Sequence, residues 1–330
     1  MAKVATIQTT LTGNGDSEKP KTGKKVKKKS QKRKYCDIKT CGTMYNWLIS
    51  ADRIKPKLKN GVDYLLVTEP NKRIELESDK WHHFKFGIYL LGEKTTLTVR
   101  QDSDDLGHLK IKTSHLWIGK ECRISCDGLG YRKHSGPGKG QSASKHFQTG
   151  GGASYGSKGR VFNSVNGRGK NGVIYGDKTL LKEIYFGSGG GSARFPYFKL
   201  EGGRGGGIIE IIVEQQIINK GFIECNGLRG NELRNYRGLI SLGVGGGSGG
   251  GSGGSILVVL QAPSHIYQNF GCIQCIDRDN YCCVNRGGCG RIAIYSRYFL
   301  SNKNLFENFS YIYTSSLIPK EEFIMKRSVS

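Results

Sequence analysis

Five cysteines, Cys272, Cys275, Cys282, Cys283 and Cys289, crowd one stretch of this 330-residue chain. A Cys-x-x-Cys followed by further thiols has the ligand type that zinc takes, so Cys272, Cys275, Cys282 and Cys289 are candidates for a structural zinc site. The competing reading is that they are buried or loop thiols, because Cys275 also belongs to an internal repeat with Cys126 and Cys225, where a small thiol packs like an apolar residue. Cys36 with Cys41 and Cys122 with Cys126 lack finger spacing. No other cofactor is implied.

Other constellations carry less chemistry. Gly136-Pro137-Gly138-Lys139-Gly140-Gln141-Ser142 suggests a phosphate cradle, but no glycine stands five residues before Gly138 and no Ser or Thr follows Lys139, so a surface loop is expected. Asp102, Asp104 and Asp105 read as a solvated turn, with no second acidic cluster at a matching position. His82, His83, His115, His134, His146 and His265 are scattered, with no nucleophile at a spacing that sequence reveals. No catalytic residue is assigned.

The strongest functional signal is charge. Arg132, Lys133, Lys139, Lys145, Lys158, Arg160, Arg168 and Lys170, interleaved with Tyr131, Phe147, Tyr155 and Phe162, fill a glycine-rich stretch. Cations and aromatic rings in an extended frame suit single-stranded RNA or another polyanion. A second basic run, Lys24, Lys25, Lys27, Lys28, Lys29, Lys32, Arg33 and Lys34, ends a polar N-terminal segment that buries too little apolar surface to offset its ordering entropy. It reads as a disordered arm over residues 1–34, either a nuclear import or nucleic-acid contact or a solvated tail. The net charge of +24 is shared between tail and body. Attraction to any anionic partner, a protein or a nucleic acid, is therefore expected, and it should weaken steeply with salt.

The elements that must position these groups are strands. Hydrophobic residues make up 36% of the chain, which has 49 glycines and 7 prolines. That composition argues against a doubly wound enzyme and for a narrow core. No apolar run is long enough for a membrane span, and the N-terminus lacks a secretory core, so the expected compartment is intracellular, cytoplasmic or nuclear, with reduced cysteines.

From residue 35 to 113, short β-type runs such as Phe86-Gly87-Ile88-Tyr89-Leu90-Leu91 suggest an antiparallel cap or the first coils of a solenoid, with one helix entertained over Met44 to Ile54. From 114 to 298 a pattern recurs. His115 to Gly128 aligns with Gln216 to Gly227, and a third copy runs from Ile266 to Cys275. Each closes on Ile-x-Cys, and the closing cysteines lie 99 and 50 positions apart, which suggests a degenerate unit near Val173-Ile174-Tyr175-Gly176. A second strand follows a glycine tract at Ile208, Ile256 and Arg291. The predicted fold class is all-β, a parallel β-solenoid with long glycine-rich loops packed on one side, where glycine permits an extended polyproline-like helix. Residues 299–330 are expected to cap its end; Asn308-Phe309-Ser310 is a sequon of little meaning without secretion.

Leu129-Gly130-Tyr131 and Gly136-Pro137-Gly138-Lys139-Gly140, after Ile-Ser-Cys-Asp-Gly, resemble the glycine-rich parallel β-helix repeats of large protist proteins. They are more loosely similar to the glycine-rich extracellular region of anaplastic lymphoma kinase-type receptors. The resemblance spans Gly87 to Tyr298. It implies a pectin-lyase-like solenoid core without assigned chemistry, or, from the receptors, a ligand-binding scaffold outside the cell. Three functions follow: a non-enzymatic scaffold presenting basic glycine loops, a nucleic-acid or polyanion binder, and a carbohydrate-active β-helix enzyme.

Overall fold

The computed structural model describes residues 58–101, 106–160, 167, 169–231, 247–262, 266–277 and 285–296. The expected tail, the helix over Met44 to Ile54, the Asp102 to Asp105 turn, and the cap at 299–330 lie outside them. All regular structure among the described residues is strand.

Apolar and β-branched runs make these strands: some alternate buried with less buried side chains, as in His108–Thr113 and Arg123–Ser125, while others, such as Ser255–Leu260, are buried almost throughout. Six strands share one sheet in the spatial order β1 (Leu65–Val67), β4 (Ile88–Leu91), β6 (His108–Ile118), β10 (Ile208–Asn219), β12 (Ser255–Leu260) and β14 (Arg291–Ser296); β3 (Trp81–His82) also pairs with β6. A second sheet runs β13 (Cys272–Gln274), β11 (Phe222–Glu224), β7 (Arg123–Ser125), β5 (Thr96–Val99) and β2 (Arg73–Leu76). Every pairing in both sheets is parallel.

Inward residues form rows across the strands. In the larger sheet, Leu109, Ile209 and Ile256 stand in register, as do Ile111, Ile211 and Val258. In the smaller, Leu97, Ile124, Ile223 and Ile273 do the same. Together they build one apolar core. The repeat aligned in the sequence coincides with the strand register, Gln216 opposite His115 and Ile223 between Ile124 and Ile273. The cysteines two positions after those isoleucines, Cys126, Cys225 and Cys275, are buried side by side.

The predicted parallel β-solenoid, or β-helix, is corrected. The described strands assemble into two parallel sheets of seven and five strands, and the glycine tracts are not loops between coils. Nor do the early strands make an antiparallel cap, since β1 pairs with β4, and β2 with β5, in parallel. The segment Val173-Ile174-Tyr175-Gly176 forms no strand, and Val173 and Ile174 are exposed.

The glycine tracts form a structure of their own. Gly249, Gly250 and Gly251 donate their amides to Gly191, Asn285 and Leu228, and Ser252, Gly253 and Gly254 then donate to Ser188, Gly288 and Cys225. Every third amide thus returns to the same neighbouring segment, the repeat of an extended polyproline-type helix with three residues per turn. Gly203 and Gly206, bonded to Gly249 and Ser252, keep the same period, as do Gly150 and Ala153, bonded to Gly247 and Gly250. Such helices make no internal hydrogen bonds, so lateral ones satisfy their buried polar groups.

Glycine is required because these backbones nearly touch. A Cβ on Gly151 or Gly172 would run into the carbonyl of Lys170 or Gly138. The array borders the outer face of the larger sheet, where Leu180 packs with Leu257, Val259, Ala293 and Tyr295. That second covering explains why β12 is buried along its whole length, as a parallel sheet covered on both faces requires.

Candidate anion-binding face

In the extended segment from Gly130 to Ala143, the glycines point into the array and the cations point out. Gly138 and Gly140 are buried, while Arg132, Lys133 and Lys139 are exposed. The Gly138 amide donates to Ser188 Oγ and the Gly140 amide to the Gly189 carbonyl. The amides of the phosphate-loop-like motif are therefore committed to the array.

His134 stands between two hydroxyls, with Nδ1 2.7 Å from Ser142 Oγ and Nε2 2.6 Å from Ser192 Oγ. Ser192 is buried and accepts the Gly202 amide at 3.3 Å. Ser142 Oγ in turn accepts the Ser192 amide at 3.3 Å, so each hydroxyl holds one backbone N–H beside its contact with the ring. Burial, then the positive charges of Lys199, Lys133 and Lys139, hold the His134 pKa below its ordinary value. Three ammonium groups thus act on one point of the surface.

Lys199 reaches this point from a hairpin. Strands β8 (Ala193–Arg194) and β9 (Lys199–Leu200) pair antiparallel, with Arg194 opposite Lys199. The turn between them is braced: the Phe195 amide donates to the Phe198 carbonyl, their rings stack at 4.8 Å, and Phe147 meets Phe195 edge-on at 6.1 Å. Tyr197, at the tip, is 98% exposed. The sequence reading missed this hairpin, although Phe195-Pro196-Tyr197-Phe198 between Arg194 and Lys199 carries a turn-forming proline.

The remaining predicted cations divide. Lys145 and His146 are exposed just before Phe147, next to the hairpin. Lys170 is exposed beside the Gln141 backbone. Lys158 and Arg160 belong to a different stretch, which bonds the segment at Arg286 and Cys289. Lys133 pairs with Glu201. Arg132 lies near Arg204, whose pKa is lowered by burial and then by that neighbouring charge. Arg168, Phe162, His265 and Lys24 through Lys34 are outside the described residues.

No protein-family model, curated protein or solved structure matches this chain. The resemblances to protist repeat proteins and to receptors gain nothing from these comparisons, and the functional reading rests on geometry.

That geometry divides the zinc candidates. Residues three apart on a strand face opposite sides, and Cys275 is buried beside Cys225 whereas Cys272 is partly exposed near Glu224 and Arg123. Cys289 lies within electrostatic reach of Cys275, and Cys282 is not described. Among the described residues no group of three or more ligands is placed to hold a metal.

A cluster that sequence could not show surrounds His108, whose Nε2 is 2.7 Å from Glu210 Oε1 and whose Nδ1 is 3.3 Å from Asp79 Oδ1. Lys110 also bonds Asp79, and its ammonium lies 6.0 Å from the Trp81 ring. Two carboxylates meet here from positions 79 and 210, with the one imidazole between them. No helix among the described residues is long and apolar enough to cross a membrane.

Proposed function

We propose that this protein is a non-enzymatic scaffold whose glycine array presents a cationic face to a polyanion. The observation that carries the reading is the convergence of Lys133, Lys139 and Lys199 on His134, with one carboxylate, Glu201, paired among them. Unbalanced positive charge on a rigid surface is an electrostatic footprint for an anionic polymer. The array supports the reading too, because its interlocked backbones hold the cations at fixed spacing.

The test is the salt dependence of binding to heparin and to a single-stranded oligonucleotide, comparing the full chain with a Lys133→Gln, Lys139→Gln, Lys199→Gln variant. Each phosphate-contacting lysine removed should lower the slope of log K against log salt by about one. Unchanged affinity and slope for both polymers would refute the reading.

A further inference from the structure

Three features of the β8–β9 hairpin ask for a ligand. First, Arg194 and Lys199 stand directly opposite each other in the ladder. Like charges at that position repel and weaken a hairpin of only two pairs, and among the described residues neither has a carboxylate partner. An anion between them would turn that repulsion into binding.

Second, the Tyr197 ring is 98% exposed on a turn that is itself well braced, with Phe195 buried at 3% exposure and stacked on Phe198. The two phenylalanines hold the turn and leave one aromatic ring free. Third, the exposed cations Arg194 and Lys199 lie on the same hairpin, and the exposed Lys145 stands two residues before the phenylalanine that braces it.

We propose that this hairpin binds single-stranded nucleic acid, Tyr197 stacking on an unpaired base while Arg194 and Lys199, with Lys133 and Lys139, take the flanking phosphates. The inference rests on the polyanion reading above and adds its ligand class. An exposed ring at the tip of a hairpin that carries a cation on each strand matches a chain in which bases and phosphates alternate. A sulfated polysaccharide would engage the cations without needing the ring. A lipid surface would call for several exposed apolar side chains at the tip, and here Phe195 is buried and Phe198 half-buried. In a duplex the bases are already stacked on one another, so the ring would find no free face.

The experiment measures fluorescence anisotropy with three probes at one salt concentration: a labelled oligo(dT) 20-mer, the corresponding duplex, and labelled heparin. Full-length protein is compared with Tyr197→Ala, Tyr197→Phe and an Arg194→Gln, Lys199→Gln double variant; the N-terminal basic run is common to all four. Loss of one stacked base corresponds to roughly a 5- to 150-fold weaker affinity. Tyr197→Ala should therefore bind the single strand at least fivefold more weakly, with heparin unchanged and Tyr197→Phe restoring wild-type affinity. The double variant should weaken binding to both polymers. The inference is overturned if Tyr197→Ala leaves single-strand affinity intact, if it weakens heparin equally, or if the duplex is preferred. In those cases polyanion binding itself still stands, whereas a wild-type protein that binds none of the three probes refutes both.

Discussion

Replacing Gly249 with alanine tests whether the glycine array is a close-packed element. A Cβ built on Gly249 falls 1.8 Å from the Gly151 carbonyl oxygen, about half an ordinary contact, and the clashing atom is backbone that cannot rotate away. The two segments must separate, and such overpacking costs about 1–3 kcal/mol. Separation also strains the bonds from the Gly249 amide to Gly191 at 2.8 Å and from the Gly203 amide to the Gly249 carbonyl at 2.9 Å. Each is worth about 0.5–1.5 kcal/mol. Reduced freedom of the unfolded chain returns about 0.4–1 kcal/mol. The net expectation is a loss of about 1–5.5 kcal/mol, taking these terms together. The adjacent residue is the control: a Cβ on Gly250 meets the Asp277 carboxylate and the Gly287 amide at 3.0 Å, contacts that a shift of a few tenths of an ångström relieves. Gly250→Ala should cost under about 1 kcal/mol. Urea unfolding followed by intrinsic fluorescence, with midpoints compared at a common slope, reads the difference. Equal midpoints, or the reverse order, would mean that the array is loose and that its glycines serve some purpose other than close approach.

Two further expectations concern titratable groups. His134 has a folded pKa below its ordinary 6.5, so the unfolded chain takes up the proton first; stability is full above pH 6.5 and declines as pH falls from there towards the depressed value. His134→Asn should flatten the thermal-midpoint profile between pH 7 and 5, and an unchanged profile would refute the assignment. Burial raises the Cys225 thiol pKa well above the ordinary value, and Cys126 and Cys275 flank it, so at pH 8 it stays protonated and enclosed. Mass spectrometry after N-ethylmaleimide treatment should find the partly exposed Cys272 and Cys289 labelled well before Cys225, and labelling at equal rates would contradict the buried ladder.

The local pattern was legible in the order of residues alone. The β-branched run Ile208 to Val213 marks a strand, and the recurring Ile-x-Cys marks residues that share the inward face, because side-chain direction in a strand has a period of two. The same pattern set the register that places Ile124, Ile223 and Ile273 in one row. The outward cations of Arg132, Lys133 and Lys139 were legible as well, since charge is seldom buried unpaired.

How distant segments meet was settled by packing in three dimensions. The lateral hydrogen bonds of the glycine tracts join residues far apart in the chain, such as Gly191 to Gly151 and Gly249 to Gly191. A low-complexity run contains no code for its partner. For that reason the tracts read as loops on a solenoid, whereas the strands gather into two parallel sheets and the tracts into an array of threefold helices. The Cys-x-x-Cys motif divided because a strand, unlike a turn, sends positions three apart to opposite faces. His108 was silent because Asp79 and Glu210 reach it from other strands and turns, and Lys199 joined Lys133 and Lys139 because a hairpin folds it back beside His134. Side-chain periodicity is a property of neighbours in sequence; a binding face is a property of neighbours in space, set here by backbones that only glycine lets approach so closely.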